Sequence, residues 1–185
     1  LRHEIAVDGP AAHTEIAGGN RERVSMAVPA RTLPGYDLWL DDFKPGDAFE
    51  TEGVTVTESM IIDFSLQWDP QSSHLNVHAK RTEMLGGLMA SGFLTLCITF
   101  RSFLGSGILD ASNLASPGFD KLRWLTPVRP GDTLRVVSKV ISATPSRSKP
   151  DRGAMIMAHE TYNQDGELVL SCECAHFLRR RPGTF

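Results

Sequence analysis

The chain has only three cysteines in 185 residues, Cys97, Cys172 and Cys174, and no pair of them has CxxC spacing. A sparse, odd-numbered set argues against a disulfide framework and a structural zinc site, and it points to a reducing compartment, the cytoplasm, as the expected location. Net charge is also small: 19 Lys and Arg against 22 Asp and Glu leave −3 at neutral pH. No overall basic field therefore exists to draw in a nucleic-acid backbone. Long apolar runs are missing. The richest stretch, GGLMASGFLTLCITFRSFL, carries Arg101 and several hydroxyls and falls short of the ~20 apolar residues that span a bilayer. Neither a nucleic-acid partner nor a membrane is expected, and nothing reads as a secretory signal. What is present, 41% hydrophobic and 22% charged residues, is the composition of a globular domain.

Residues 1–30 lack sustained periodicity and read as an extended arm or leader, with a single domain over 31–185. Within that domain Pro45, Gly46 and Asp47 signal a turn, and the β-branched Val54, Thr55, Val56 and Thr57 a strand. Thr57 is a natural N-cap for a helix through Ile61, Ser65 and Trp68 that stops at Pro70. Residues 85–103 are apolar nearly all round, the signature of a buried helix. Strands are expected over 119–125, 133–143, 154–162 and 168–178, with a tight turn at 163–166 between the last two. One buried helix beside mostly antiparallel strands predicts an α+β domain with the sheet wrapped round the helix.

The chemistry concentrates in Trp68-Asp69-Pro70-Gln71-Ser72-Ser73-His74-Leu75-Asn76. Asp69 and His74 lie five residues apart across a segment that Pro70 forces out of helix. Such a segment can fold a carboxylate and an imidazole towards one point, where they can take a proton from a water and return it elsewhere near neutral pH. The same spacing also suits an Asp that ends a helix and an unrelated surface His.

From Phe43 onward the arrangement resembles the MaoC-like (R)-specific enoyl-CoA hydratase family, whose domains have the hot-dog fold. The family pattern runs Asp, any residue, Asn, Pro, an aliphatic residue and His, followed by a buried helix with a small-residue opening. Asp69 and His74 keep the acid and the histidine at the family separation. Gln71 stands in place of Asn, Ser72 in place of Pro and Asn76 where an acidic residue is common. The later segments Gly86-Gly87-Leu88-Met89-Ala90-Ser91-Gly92 and Arg123-Trp124-Leu125-Thr126-Pro127-Val128-Arg129-Pro130-Gly131-Asp132 also match, so the resemblance covers roughly residues 40–180.

The resemblance implies a hydro-lyase that interconverts a trans-2-enoyl-CoA and an (R)-3-hydroxyacyl-CoA in fatty acid metabolism. The substrate would be an acyl-CoA or acyl carrier protein thioester, and the assembly a homodimer or higher homo-oligomer. Asp69 would hold and deprotonate the water, while His74 orients it and shares in proton delivery to the α-carbon. The backbone N–H of Gly92 could face the developing enolate, or the residue could simply allow close packing. Gln71 could take over a positioning bond or sit as an exposed loop residue, and Ser91 could bond the thioester or cap a helix turn. No cofactor and no metal are implied. His78, four residues after His74, lacks partners at ligand spacing. Arg123, Arg129 and the run Arg179-Arg180-Arg181 are open to coenzyme A phosphates, although a solvated basic tail is the commoner fate of such a run. A thioesterase on the same fold, or a non-catalytic acyl-thioester-binding subunit, are the alternative readings.

Overall fold

A computed structural model describes residues 37–185; the expected N-terminal arm over 1–30 lies outside the described residues. In chain order the elements are a 3-10 turn at Leu40–Asp42, β1 (Ala48–Glu50), β2 (Val54–Thr55), α1 (Glu58–Trp68), α2 (Ser72–Leu75), α3 (Lys80–Met84), α4 (Gly92–Gly105), β3 (Asn113–Trp124), β4 (Thr133–Pro145), β5 (Arg152–Tyr162) and β6 (Leu168–Arg179). The strands form one six-stranded antiparallel sheet in the order β1-β4-β5-β6-β3, with β2 also paired to β4. The fold is the expected hot-dog: α4 lies against the sheet as the filling.

Period-2 alternation sets which face meets the helix. Leu134, Val136, Ser138 and Val140 of β4, Met155, Met157, His159 and Thr161 of β5, and Leu170, Cys172, Cys174, His176 and Leu178 of β6 are all buried. They meet Leu94, Thr95, Ile98, Thr99 and Phe103 of α4. The core divides into two apolar clusters. One joins Leu94 and Ile98 to Val56, Ile61, Leu88 and Leu134, and the other joins Phe103 to Leu40, Phe43, Met155 and Met157. Thr57 caps α1 as expected, accepting from Met60 N–H at 3.2 Å.

The long helix departs from its expected bounds. It starts at Gly92 rather than near Leu85 because Ser91 caps it, and the carbonyls of the preceding residues are engaged elsewhere. Nor is it buried all round. Phe93 is 57% exposed and Leu104 36%, and Cys97 is exposed, because the one sheet covers one face. Cys172 and Cys174, two residues apart on β6, share a face and are buried; burial, with Cys174 beside Cys172, pushes the Cys172 thiol up to about 11. The basic run after β6 is neither a solvated tail nor a free phosphate cradle. Arg180 pairs with Asp41 at 2.8 Å, and Arg181 pairs with Asp42 at 2.9 Å and Asp37 at 3.2 Å. The guanidinium groups of Arg179 and Arg181 lie over the Trp39 ring.

Under α4 the core is polar. His159 shares a hydrogen bond with Ser138 at 2.8 Å and His176 one with Ser116 at 2.9 Å, while Nε2 of each ring is buried without a partner. The rings pack on Phe103. Burial, helped by the neighbouring His176, drives the His159 pKa down to about 3, and burial drives that of His176 down to about 4. Both are neutral in the folded chain, whereas the unfolded chain takes up their protons once pH falls below about 6.5. Their contribution to stability is therefore complete above that pH and is lost progressively as pH falls towards 4 and then 3. We expect on the order of 3 kcal/mol to disappear between pH 7 and pH 5. Urea unfolding across that range measures it, and a flat profile would contradict the buried, neutral histidines.

Candidate active site

Asp69 ends α1 as its C-cap, with its N–H bonded to Ser65 C=O at 3.1 Å. Pro70 then turns the chain, and Gln71 to Leu75 close into the single turn of α2, which holds His74. The segment is thus a helical turn rather than an open loop. Its compactness comes from backbone bonds: Gln71 N–H to Asp69 C=O at 2.7 Å and His74 N–H to Gln71 C=O at 3.0 Å.

The result brings the predicted pair together. His74 Nε2 lies 3.6 Å from Asp69 Oδ2, and the two side chains are 6% and 16% exposed. That separation is too long for a direct hydrogen bond. His74 Nδ1 lies 2.8 Å from Met89 C=O; a carbonyl only accepts, so Nδ1 carries a proton, and in the neutral form of the ring Nε2 presents its lone pair towards Asp69. In that form two acceptors face one another across a gap, an arrangement satisfied by a water that donates one proton to each.

The carboxylate is held from both sides. Ser91 Oγ donates to Oδ2 at 2.6 Å and Gln71 Nε2 donates to Oδ1 at 2.8 Å. These two bonds, Ser91 first, hold the Asp69 pKa below the ordinary carboxylate value against the opposing effect of burial, with a smaller contribution from His74. Each oxygen keeps a second lone pair for another donor.

Ser91 caps α4, accepting from Phe93 N–H at 3.2 Å, and its hydroxyl donates a hydrogen bond to Asp69. Gln71 is exposed, with its side-chain amide bonded to Asp69. Gly92 is the first residue of α4, and its N–H donates to no group among the described residues. A Cβ there would lie 2.7 Å from the Trp124 indole, whose Nε1 donates to Gly92 C=O at 2.7 Å. Close packing is thus one demonstrated reason for glycine at this position. His78 donates its backbone N–H to Asn76 Oδ1 at 2.9 Å, and among the described residues no three His, Cys, Asp or Glu side chains converge as metal ligands.

Two contributors escaped the sequence reading. Met89 acts through its backbone carbonyl, for which no side-chain pattern exists. Arg129, open to phosphate in the sequence, directs its guanidinium to the carbonyls of Leu85, Gly87 and Leu88. Its place in a Pro-Val-Arg-Pro-Gly-Asp turn was visible, but its partner loop was not.

An antiparallel sheet filled by one helix is the hot-dog fold, and here a carboxylate and a histidine meet near the mouth of that helix. The chain belongs to the MaoC-like domain family, which matches residues 42–159. The MaoC-like dehydratase structure from Rhodospirillum rubrum is 37% identical, with a TM-score of 0.72 over 78% of this chain and 99% of that one. The uncharacterized protein YdeM of Bacillus subtilis is 28% identical over 141 residues, 76% of this chain and 99% of its own. Mesaconyl-CoA hydratase of Cereibacter sphaeroides is 36% identical over 86 residues, which are 45% of this chain and only 25% of that enzyme.

Because Ser91 is the main reason that Asp69 titrates low, Ser91→Ala should move the Asp69 pKa upward. Carbon-13 NMR titration of the Asp69 carboxyl reads this directly; an unmoved titration would show that the Oγ bond is not what sets it.

Proposed function

We propose that the chain is a hydro-lyase that adds water across the double bond of a trans-2-enoyl thioester, or removes it from the (R)-3-hydroxyacyl thioester. The observation that carries this reading is the facing pair of Asp69 Oδ2 and His74 Nε2, 3.6 Å apart, with Nδ1 of the ring engaged by the Met89 carbonyl. An ionised carboxylate and a neutral imidazole form a site for a water that must lose a proton. The water oxygen bonds to the β-carbon while one of its protons passes to the pair and is returned to the α-carbon. Negative charge collects meanwhile on the thioester oxygen, and a preorganised donor there is worth about 3 kcal/mol of barrier. The free N–H of Gly92, at the positive end of α4, is the donor we assign. Ser91 and Gln71 aim the carboxylate rather than touch the thioester.

Support for a coenzyme A thioester comes from the likeness to a mesaconyl-CoA hydratase, although that likeness spans a quarter of the enzyme. An acyl carrier protein remains the alternative carrier. We also propose a homodimer joined at the sheet edges. β3 is the terminal strand of the sheet, exposed along most of its length, with Leu114, Phe119 and Trp124 open to solvent. Absence of an apolar spanning helix among the described residues accords with a substrate taken from solution, and we place the enzyme in the cytoplasm.

Incubation with crotonyl, longer and branched enoyl thioesters, followed at the alkene absorbance and by thiol release, tests the reaction class. Alkene loss without free thiol is expected; thiol release would make the protein a thioesterase instead, and neither change would favour a binding subunit. Asp69→Asn and His74→Ala should each lower turnover by at least about a hundredfold with the fold retained. The double variant should be little worse than either alone, since the two act on one water. Near-normal hydration by either folded variant would remove that residue from the mechanism.

A further inference from the structure

Arg129 takes no part in the proton transfers above, yet its surroundings are arranged for it. Its own backbone is fixed, with N–H bonded to Asp132 Oδ2 at 2.7 Å and the same turn bonded to Val56 through Gly131 N–H and Asp132 C=O. The half-buried guanidinium then reaches three carbonyls of one loop. Nη1 donates to Gly87 C=O at 2.5 Å and to Leu88 C=O at 3.2 Å, and Nη2 donates to Leu85 C=O at 2.5 Å. It makes no ion pair among the described residues. The loop is shaped to receive it: Gly86 and Gly87 have φ of +79° and +115°, and a Cβ at Gly86 would stand 3.3 Å from Nη2.

The consequence appears one residue later. The peptide group between Leu88 and Met89 is held at both ends, its carbonyl by Arg129 and its N–H by Ser73 C=O at 3.2 Å. The next peptide group is held by Val128 C=O on the N–H of Ala90 at 2.8 Å, and its carbonyl, that of Met89, is the group that accepts from His74 Nδ1. Two successive peptide planes are thereby fixed at four points, and Arg129 is the side chain outside the pair that does so. A planar fork with several donors can bridge such a set of carbonyls, which a point-charge ammonium cannot.

We infer that Arg129 is a positioning residue for His74: by clamping the 85–88 carbonyls it fixes the Met89 carbonyl, which in turn keeps the histidine proton on Nδ1 and the Nε2 lone pair turned to Asp69. Its effect on rate rests on the hydratase reading; its effect on the ring does not.

The test is therefore made on the ring first. Nitrogen-15 NMR of the neutral imidazole at alkaline pH, with His74 assigned by its absence in His74→Gln, should show the Nδ1–H tautomer in the parent. Arg129→Met should give a mixture with the Nε2–H form, and Arg129→Lys, which keeps charge but not the fork, should fall between the two. Where the parent hydrates an enoyl thioester, kcat of Arg129→Met should drop about a hundredfold, as a misplaced catalytic group does, while KM changes by less than about threefold. A pure Nδ1–H tautomer in folded Arg129→Met overturns the proposal whatever the activity. A raised KM for the coenzyme A thioester but not for the pantetheine thioester, with the tautomer unchanged, would overturn it in favour of phosphate binding. Loss of the fold in both variants would also overturn it, by assigning Arg129 to the fold alone. A parent inactive on every enoyl thioester would defeat the hydratase reading while leaving the tautomer result to stand by itself.

Discussion

The Ser91 hydroxyl carries two bonds at once, accepting from Phe93 N–H to begin α4 and donating to Asp69 to fix the carboxylate. One oxygen thus joins the helix that fills the sheet to the residue that ends α1. The same contact sets where α4 starts, leaves the N–H of Gly92 free of intrahelical partners, and draws the Asp69 carboxylate towards His74. Removing it would loosen the cap and the carboxylate together, and measured losses at that position will therefore mix a stability effect of about 1 kcal/mol for the cap with an electrostatic one.

Around that contact the site is assembled from chain ends rather than from the middles of elements. Asp69 lies at the C-terminus of α1, His74 in a single helical turn, Met89 in the stretch before α4, and Arg129 in the turn before β4. Elements end where backbone groups lack internal partners, and here those spare groups are what hold the functional side chains. The Met89 carbonyl accepts a hydrogen bond from His74 Nδ1 and the Leu85, Gly87 and Leu88 carbonyls accept those of the Arg129 fork. The sheet supplies rigidity and the junctions supply direction.

Much of the fold was legible because it depends on alternation and capping. The strands β4 to β6, the Thr57 cap and the mostly antiparallel character of the sheet followed from local pattern, whereas the strand order did not. The start of α4 did not, because Leu88, Met89 and Ala90 continue the apolar pattern of the helix, and tertiary bonds to this loop together with the Ser91 cap decide that the helix begins only at Gly92. The all-round apolar character of 85–103 likewise suggested complete burial, whereas Phe93 and Cys97 remain exposed on a face that a single sheet cannot reach. In the site, side-chain chemistry and spacing made Asp69 and His74 candidates, and only the family resemblance set them above a helix-ending Asp and an unrelated surface His. The carbonyl of Met89 and the internal use of Arg129 could not, since the first is a backbone group common to every residue and the second depends on a loop some 40 positions away. The ion pairs of Arg180 and Arg181 were hidden for the same reason: their partners lie about 140 positions earlier.

Those last pairs have a mechanical consequence. Asp37, Asp41 and Asp42 belong to the first described residues, and Arg180 and Arg181 follow directly on β6. The beginning and end of the described chain are therefore buckled together, with Trp39 beneath the guanidinium groups as a washer. Tension applied across the two ends meets this buckle before it meets the hydrogen bonds of β6. Because charged contacts at a surface weaken as ions screen them, the force needed to open the buckle should depend on salt, while the force needed to strip β6 from β5 afterwards should not.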